Sequence, residues 1–123
     1  MKVKRTVSLK KKFQFRYVYN KGKSLANRHL VMYVVKTGKQ MNHIGISVSK
    51  KVGKSVVRSR VTRLIRESYR LTEEQIAKGY DIVVIARVFA NGASFQEIDH
   101  SLKHLLKKQN LLLSSITKKE ECK

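Results

Sequence analysis

Residues 50–67, KKVGKSVVRSRVTRLIRE, are the most informative segment of the sequence, because a loop of Lys and Gly runs directly into a helix there. We predict this helix over residues 55–71, because its apolar side chains recur at the spacing of one buried face: Val57, Val61, Leu64 and Ile65. At 100° per residue, the opposite face carries Ser59, Arg63, Arg66 and Arg70. Solvated helix faces usually mix both signs of charge, whereas Glu67 is the one acid between residues 58 and 70. The pattern therefore predicts a helix with a core side and a basic side.

Strands are predicted on both sides of this helix. Residues 30–36 and 43–50 read as two strands joined by a turn around Gly38 and Asn42. Residues 82–85 are four consecutive apolar residues, which is typical of a strand buried on both faces. The Arg-rich helix would then lie in a βαβ crossover, and the fold class would be α+β.

Two further helices are expected near the ends of the chain. The first runs from about Leu9 to Lys21, with Ser8 as its cap and Gly22 as its end. The last follows a capping box formed by Ser94 and Glu97. Its buried stripe would be Ile98, Leu102, Leu105 and Leu106.

The strand at 43–50 has two unlike faces. Its apolar residues Ile44, Ile46 and Val48 alternate with the small residues Gly45, Ser47 and Ser49. A face of Gly and Ser leaves room for a ligand, and Tyr33 on the preceding strand can lie beside it. On the first helix, Phe15 and Tyr19 share one side, while Phe13 and Tyr17 share another. Two interpretations stay open for Phe15, Tyr19 and Tyr33: ordinary core, or a surface for a ligand.

The net charge indicates the kind of partner. The 123 residues hold 28 Lys and Arg against 8 Asp and Glu, so the net charge is 28 − 8 = +20. Self-repulsion on this scale is best tolerated by a chain whose partner is a polyanion such as nucleic acid. Lys50, Lys51 and Lys54 converge on the N-terminus of the Arg-rich helix, where free N–H groups and the helix dipole favour phosphate. Four planar guanidinium groups suit further phosphates: Arg58, Arg60, Arg63 and Arg66.

Acidic and imidazole side chains argue against catalysis by the chain itself. A metal-dependent phosphodiesterase needs two or three converging carboxylates, but Glu67, Asp81 and Asp99 fall on three different predicted elements. His100 and His104 are one turn apart and lack the intervening Glu of a zinc-protease helix. We therefore expect no catalytic residue, no metal site and no cofactor in the chain.

The remaining composition indicates a cytoplasmic protein with no membrane segment. The lone Cys122 cannot form an internal disulfide and fits a reducing compartment. No apolar run approaches the roughly 18 residues of a membrane span, and the basic N-terminus continues into more Lys rather than into a signal peptide. We expect one RNA-binding domain over residues 1–123, with flexible tails at 1–8 and 114–123.

The segment 50–67 also resembles the signature of the bacterial ribonuclease P protein family, Lys-Lys-x-Gly-x-x-Val-x-Arg-Asn-Arg-x-Lys-Arg-x-x-Arg. The matching residues are Lys50, Lys51, Gly53, Val56, Arg58, Arg60, Arg63 and Arg66. Ser59 stands where the family has Asn, and Thr62 stands where it usually has Lys. Weaker likeness extends along most of the chain, from residues 9–11 through Gly22 and residues 26–28 to the final helix.

The resemblance implies a fold and a division of labour. The fold would be a ribosomal-protein-like sandwich of a small mixed sheet with helices, and its crossover would be left-handed. Catalysis would belong to a partner RNA that carries magnesium, while this chain would assist removal of the 5′ leader from precursor tRNA. The catalytic RNA would contact Lys50, Lys51, Lys54, Arg58, Arg60, Arg63 and Arg66. The single-stranded leader would lie in a cleft lined by Phe15, Tyr19, Tyr33, Ser47 and Ser49, since aromatic rings stack on unpaired bases.

One rival interpretation uses the same basic helix. A non-catalytic ribosomal protein or RNA chaperone would need the same charge and the same Arg spacing. A protein that binds double-stranded DNA is a weaker rival, because the sequence has no helix-turn-helix spacing and no dimer seam. The RNA that copurifies with the chain would separate the first two.

Overall fold

The computed structural model describes residues 6–9 and 11–113 as a five-stranded mixed sheet with helices on both faces. The strands are β1 (Thr6–Ser8), β2 (Lys23–Ala26), β3 (Leu30–Lys36), β4 (Asn42–Ser47) and β5 (Tyr80–Ala86). The helices are α1 (Lys12–Lys21), α2 (Ser55–Thr72) and α3 (Phe95–Lys108), and short 3-10 turns occupy Glu73–Gln75 and Val88–Ala90. The predicted α+β class is confirmed.

The strand order is β1-β4-β5-β3-β2, with β5 in the centre. β4 runs parallel to β5, and α2 connects them, so the Arg-rich helix lies in the predicted βαβ crossover. Its left hand stays a prediction. The two strands that we expected to be joined by a turn, β3 and β4, are not partners, because β5 lies between them. Ile82, Val83 and Val84 are fully buried, and a strand that is apolar on both faces is stable only in the middle of a sheet.

The inner face of the sheet carries the main core. α2 and α3 cover it, and their predicted apolar stripes are confirmed: Val61, Ile65, Ile98, Leu102, Leu105 and Leu106 are buried. Val57 and Leu64 are half-buried against the same core. The capping box of α3 is also confirmed, since the backbone N–H of Glu97 donates to Ser94 Oγ and that of Ser94 donates to Glu97 Oε1.

Among the residues that the structure describes, α1 is the one helix on the outer face, and the start of this helix differs from our prediction. Ser8 does not cap α1; it is the last residue of β1, which pairs in parallel with β4. α1 begins at Lys12, and the backbone N–H of Lys11 donates to Gln14 Oε1. Residues 6–8, which we assigned to a flexible tail, therefore form an edge strand. Residues 1–5 and 114–123, the rest of the predicted tails, lie outside the described residues.

Gly22 ends α1 as predicted, but not by a left-handed turn. Its φ of −82° is open to any residue. A Cβ at this position would lie 2.4 Å from the carbonyl oxygen of Val18 and 3.3 Å from that of Val34. Glycine is needed here because the chain turns from α1 into β2 against the sheet.

Candidate nucleic-acid interface

The loop before α2 holds its lysines outward by burying one residue. The Val52 side chain is in the core, and its carbonyl accepts a hydrogen bond of 2.9 Å from Asn91 Nδ2. Lys50, Lys51 and Lys54 are all exposed around it. The structure thus brings the three predicted lysines to the N-terminus of α2, where the cap residue Lys54 supplies no side-chain acceptor for the first-turn N–H groups.

Three of the four predicted arginines line one groove between α2 and β4. The groove has a volume of about 520 Å³, and its lining residues are Ile46, Val48, Ser55, Arg58, Ser59, Thr62, Arg63 and Arg66. Within the described part of the chain, Arg63 and Arg66 are exposed and have no acidic partner. Arg58 is deeper, and its Nε is buried with no hydrogen-bond partner among the described residues. Unneutralised guanidinium groups in a row make this groove a strong site for an anion.

Arg60 points away from this groove. Its guanidinium donates a hydrogen bond of 2.9 Å to the carbonyl of Ala93, in the loop that leads into α3. The side chain thus joins α2 to that loop. Arg60 is exposed, so it can still contact a ligand, but on a different side of α2 from Arg63 and Arg66.

Arg70 differs from its neighbours because it is neutralised within the helix. It forms an ion pair with Glu67, one turn back along α2. The hydrogen bond from Arg70 lowers the pKa of the Glu67 carboxyl below its ordinary value, and the same bond raises the pKa of Arg70. The free cationic charge of the basic face therefore lies in Arg63 and Arg66.

The predicted aromatic cleft lies on the other face of the sheet, beside α1. The ring centroids of Phe15 and Tyr19 are 6.4 Å apart, and those of Tyr19 and Tyr33 are 5.1 Å apart in an edge-to-face arrangement. Phe15 and Tyr33 are half-buried, whereas Tyr19 is 37% exposed. The rings thus form one cluster with Tyr19 at its open side. This arrangement is compatible with both open interpretations, a part of the core and a surface for a ligand.

A groove of about 420 Å³ adjoins this cluster. It is lined by Lys12, Phe15, Arg16, Tyr19, Ile46 and Ser47. Ser47 is therefore in the cleft, but Ser49 lies beyond the end of β4 and does not line it. The small face of β4 is also less open than we expected, because Phe15 covers Gly45: a Cβ there would lie 2.5 Å from the Phe15 ring.

Two cations in this cleft were not predicted from the sequence. Lys12 and Arg16 are exposed and one helical turn apart, on the same flank of α1 as Phe15 and Tyr19. Their i, i+4 spacing alongside an i, i+4 pair of aromatics was a usable signal. Together they place positive charge next to the stacking rings, a combination typical of single-stranded nucleic-acid grooves.

A further basic patch also lay outside our predictions. The Arg28 guanidinium lies 5.2 Å from the centre of the exposed Phe89 ring. The Arg87 guanidinium donates a hydrogen bond of 2.8 Å to the carbonyl of Asn27. These contacts connect the β2–β3 turn to the turn after β5, and this pairing of distant segments gives no signal in the sequence.

Acidic groups in the described residues are dispersed, and four of them, Glu67, Asp81, Glu97 and Asp99, already have partners. Asp99 accepts a hydrogen bond from Ser68 and pairs with Lys103, and Asp81 lies 3.0 Å from His43. The N–H and hydroxyl groups of Ser94 lower the pKa of the Glu97 carboxyl. The described residues contain no group of three or more His, Cys, Asp or Glu that could hold a metal ion. None of their helices is long and apolar enough to cross a membrane.

The α+β fold has a mixed sheet, and it carries an arginine-lined groove and a basic aromatic cleft. These features place the chain in the class of RNA-binding proteins. Residues 3–110 match the family model described as Ribonuclease P. The chain therefore belongs to the ribonuclease P protein family.

Individual relatives agree with this family. The chain is 51% identical over 108 residues to the "Ribonuclease P protein component" of Alkaliphilus oremlandii, a match that covers 88% of this chain and 95% of the relative. It is 55% identical over 107 residues to the protein of the same name from Clostridium acetobutylicum, covering 85% of this chain and 90% of the relative. The likeness therefore extends well beyond the Arg-rich segment.

Solved structures show the same fold. A mutant of the Staphylococcus aureus RNase P protein with defective mRNA degradation activity is 38% identical, with a TM-score of 0.79 over 85% of this chain and 89% of that chain. The RNase P protein from Thermotoga maritima is 33% identical, with a TM-score of 0.76 over 86% of this chain and 97% of that chain.

Proposed function

We propose that this chain binds the catalytic RNA of ribonuclease P through the α2 groove and the lysine loop, and binds the 5′ leader of precursor tRNA through the α1 cleft. The family gives the chain a role in ribonuclease P, an RNA-based endoribonuclease that produces the mature 5′ end of tRNA. The observation that carries the assignment of surfaces is the contrast in their chemistry. The α2 groove offers unpaired guanidinium groups, whereas the α1 cleft offers stacking rings with two cations.

Each surface matches one kind of RNA. Folded RNA presents closely spaced phosphates, and Arg63 and Arg66 lie one turn apart to meet them. A leader presents unpaired bases, and the ring of Tyr19 is exposed to stack on one of them. The family match and the structural neighbours favour a ribonuclease P subunit over a ribosomal protein or an RNA chaperone.

In this proposal the chain supplies binding and no catalytic group. The carboxylates of the described residues form no metal cluster, so magnesium would be held by the partner RNA. Purified chain should then leave precursor tRNA intact at any magnesium concentration, and addition of the catalytic RNA should give the mature 5′ end. Cleavage by RNA-free chain would contradict this division of labour.

The α2 groove is tested by the salt dependence of binding. Arg63→Ala or Arg66→Ala should weaken binding of the catalytic RNA and reduce the slope of log K against log salt by about 0.7 to 0.9 for each phosphate that is no longer neutralised. Arg70→Ala is the matched control, since it removes the same charge from the same helix but from a side chain already paired with Glu67. Equal slopes in all three variants, or a drop in thermal stability with unchanged affinity, would count against the groove as the RNA site.

A further inference from the structure

A second pair of aromatic rings lies on the opposite flank of α1 from the α1 cleft that we propose for the leader (the leader cleft). Phe13 and Tyr17 are one turn apart and are 63% and 52% exposed. Large rings in such a position rarely stay in water without a role, because side-by-side exposed apolar surface marks an interaction site. The Lys11 ammonium lies 5.8 Å from the centre of the Phe13 ring, so this flank is also basic.

These rings form one wall of a groove that is separate from the leader cleft. Its volume is about 460 Å³, within the roughly 300 to 1,000 Å³ of small-ligand sites. It is lined by Leu9, Phe13, Gln14, Tyr17, Lys36, Thr37, Lys39, His43 and Asp81. The leader cleft shares none of these residues.

Strand register explains why there are two grooves. His43 is aligned with Asp81, Gly45 with Val83, and Ser47 with Ile85 along the outer face of β4 and β5. α1 crosses this face over Gly45 and Val83. The leader cleft lies toward the Ser47 end, and the second groove lies toward the His43 end.

The polar groups of the second groove fit one nucleotide. Lys36 and Lys39 are exposed cations at its rim, suited to a phosphate. His43 Nδ1 lies 3.0 Å from Asp81 Oδ1 in its wall, where the two side chains are 20% and 16% exposed. A carboxylate only accepts hydrogen bonds, so Asp81 favours a base edge that carries N–H donors. Guanine presents two such donors side by side.

We propose that this groove binds one unpaired guanine nucleotide of RNA. The base stacks on Tyr17 and Phe13, the Asp81 carboxylate accepts from its N–H edge, and the two lysines contact its phosphate. A second copy of the chain is a poor occupant, because two molecules of charge +20 repel each other. The inference rests on the proposed function only in that the chain binds RNA; it does not need the leader cleft or the α2 groove.

The test compares short labelled RNAs on the isolated full-length chain. Fluorescence anisotropy would give dissociation constants for UUGUU, UUAUU and UUUUU with the wild type, Tyr17→Ala, Tyr17→Phe, Tyr19→Ala and Asp81→Asn. The wild type should prefer UUGUU. Tyr17→Ala should weaken UUGUU binding roughly 5- to 150-fold, the range for removal of one stacking partner, and Tyr17→Phe should restore it. Asp81→Asn should reduce the preference for UUGUU over UUUUU about 5-fold or more.

Tyr19→Ala is the matched control on the other flank. It should leave the guanine preference intact, and any loss of affinity that it causes should be the same for all three RNAs. The proposal is overturned by a wild type without guanine preference, or by a Tyr17→Ala variant that keeps the preference. It is equally overturned if sedimentation shows a dimer that Tyr17→Ala dissolves. Failure of the proposed function would appear elsewhere, as unchanged binding of the catalytic RNA in Arg63→Ala and Arg66→Ala.

Discussion

The two faces of the sheet are covered to very different depths. Two helices pack on the inner face, and their side chains form the main core with Leu30, Met32, Ile82 and Val84. In the described part of the chain, a single helix of ten residues lies on the outer face, where Leu9, Val18 and Val83 form the small second cluster. A lone helix cannot cover a sheet, so a groove remains on each of its flanks. Most of the packed core therefore lies on the inner face, whereas the outer face keeps two open grooves beside α1. The third groove lies between α2 and β4.

The largest expected effect is on stability and comes from a change in the core of the inner face. Leu102 is fully buried in the core between α3 and the sheet. Leu102→Ala should lower the free energy of unfolding by about 2 to 5 kcal/mol, through reduced burial and the cavity left behind. Chemical denaturation would measure it. At a temperature where the variant is folded, its affinity for short RNA should equal that of the wild type. Weaker RNA binding by the folded variant would contradict the separation of the core from the RNA-binding surface.

A change at Gly45 tests how α1 packs on the outer face of the sheet. Gly45→Ala would put a Cβ about 2.5 Å from the Phe15 ring, so the ring must move. We expect a decrease of about 1 to 3 kcal/mol in unfolding free energy, as for overpacking elsewhere. Leader binding should weaken together with stability, because Phe15 belongs to both the cluster and the cleft. Gly38→Ala is the control for leader binding: no atom lies within 4 Å of its Cβ, but its φ of 74° strains an Ala, so this variant should lose stability without a loss of leader binding.

Tyr19→Ala tests the cleft with little cost to the fold, since this ring is the most open of its cluster. Binding of precursor tRNA to the assembled enzyme should weaken by about 1 to 3 kcal/mol, because one base no longer has a ring to stack on. Binding of mature tRNA, which has no leader, should hardly change. Titration of both tRNAs in the presence of the catalytic RNA would measure this. Equal weakening for both tRNAs would mean that the Tyr19 ring has a structural role and does not contact the leader.

The smallest effect concerns the capping box of α3. The pKa of Glu97 is lowered by the N–H and hydroxyl of Ser94, so its carboxylate stabilises the folded state above its ordinary pKa of 4.5. That stability is lost as the pH falls through the lowered folded pKa. Glu97→Gln should therefore be less stable than the wild type near neutral pH, and the difference should disappear in acid. Thermal melting across pH would show it, and a constant difference would contradict the cap.

Strong local patterns predicted much of the fold. The Arg-rich helix α2 and the apolar strand β5 were placed within a few residues, since one has a clear 3.6 period and the other an unbroken apolar run. β1 and β2 were missed because their three and four residues form strands only through pairing with β4 and β3. Ser8 has the chemistry of a cap, and tertiary pairing outweighed that local preference.

The candidate site was predictable in composition but not in arrangement. Arg58, Arg63 and Arg66 share a groove as their spacing suggested. Arg60 differs because its partner, the carbonyl of Ala93, is 33 residues away. No helical period can reveal a contact of that range. Ser49 was assigned to the cleft because alternation was extended past the point where β4 ends.

The central position of β5 also has a consequence for synthesis on the ribosome. β3 and β4 both pair with β5, yet β4 ends at Ser47 and β5 ends at Ala86. At about 5 to 20 residues per second, those 86 − 47 = 39 residues take roughly 2 to 8 s to translate. During that time the nascent chain holds β3 and β4, each with a strand edge that β5 has not yet paired. The same lysines and arginines that attract RNA make neighbouring nascent chains repel one another, and so protect those edges from pairing with the wrong strand.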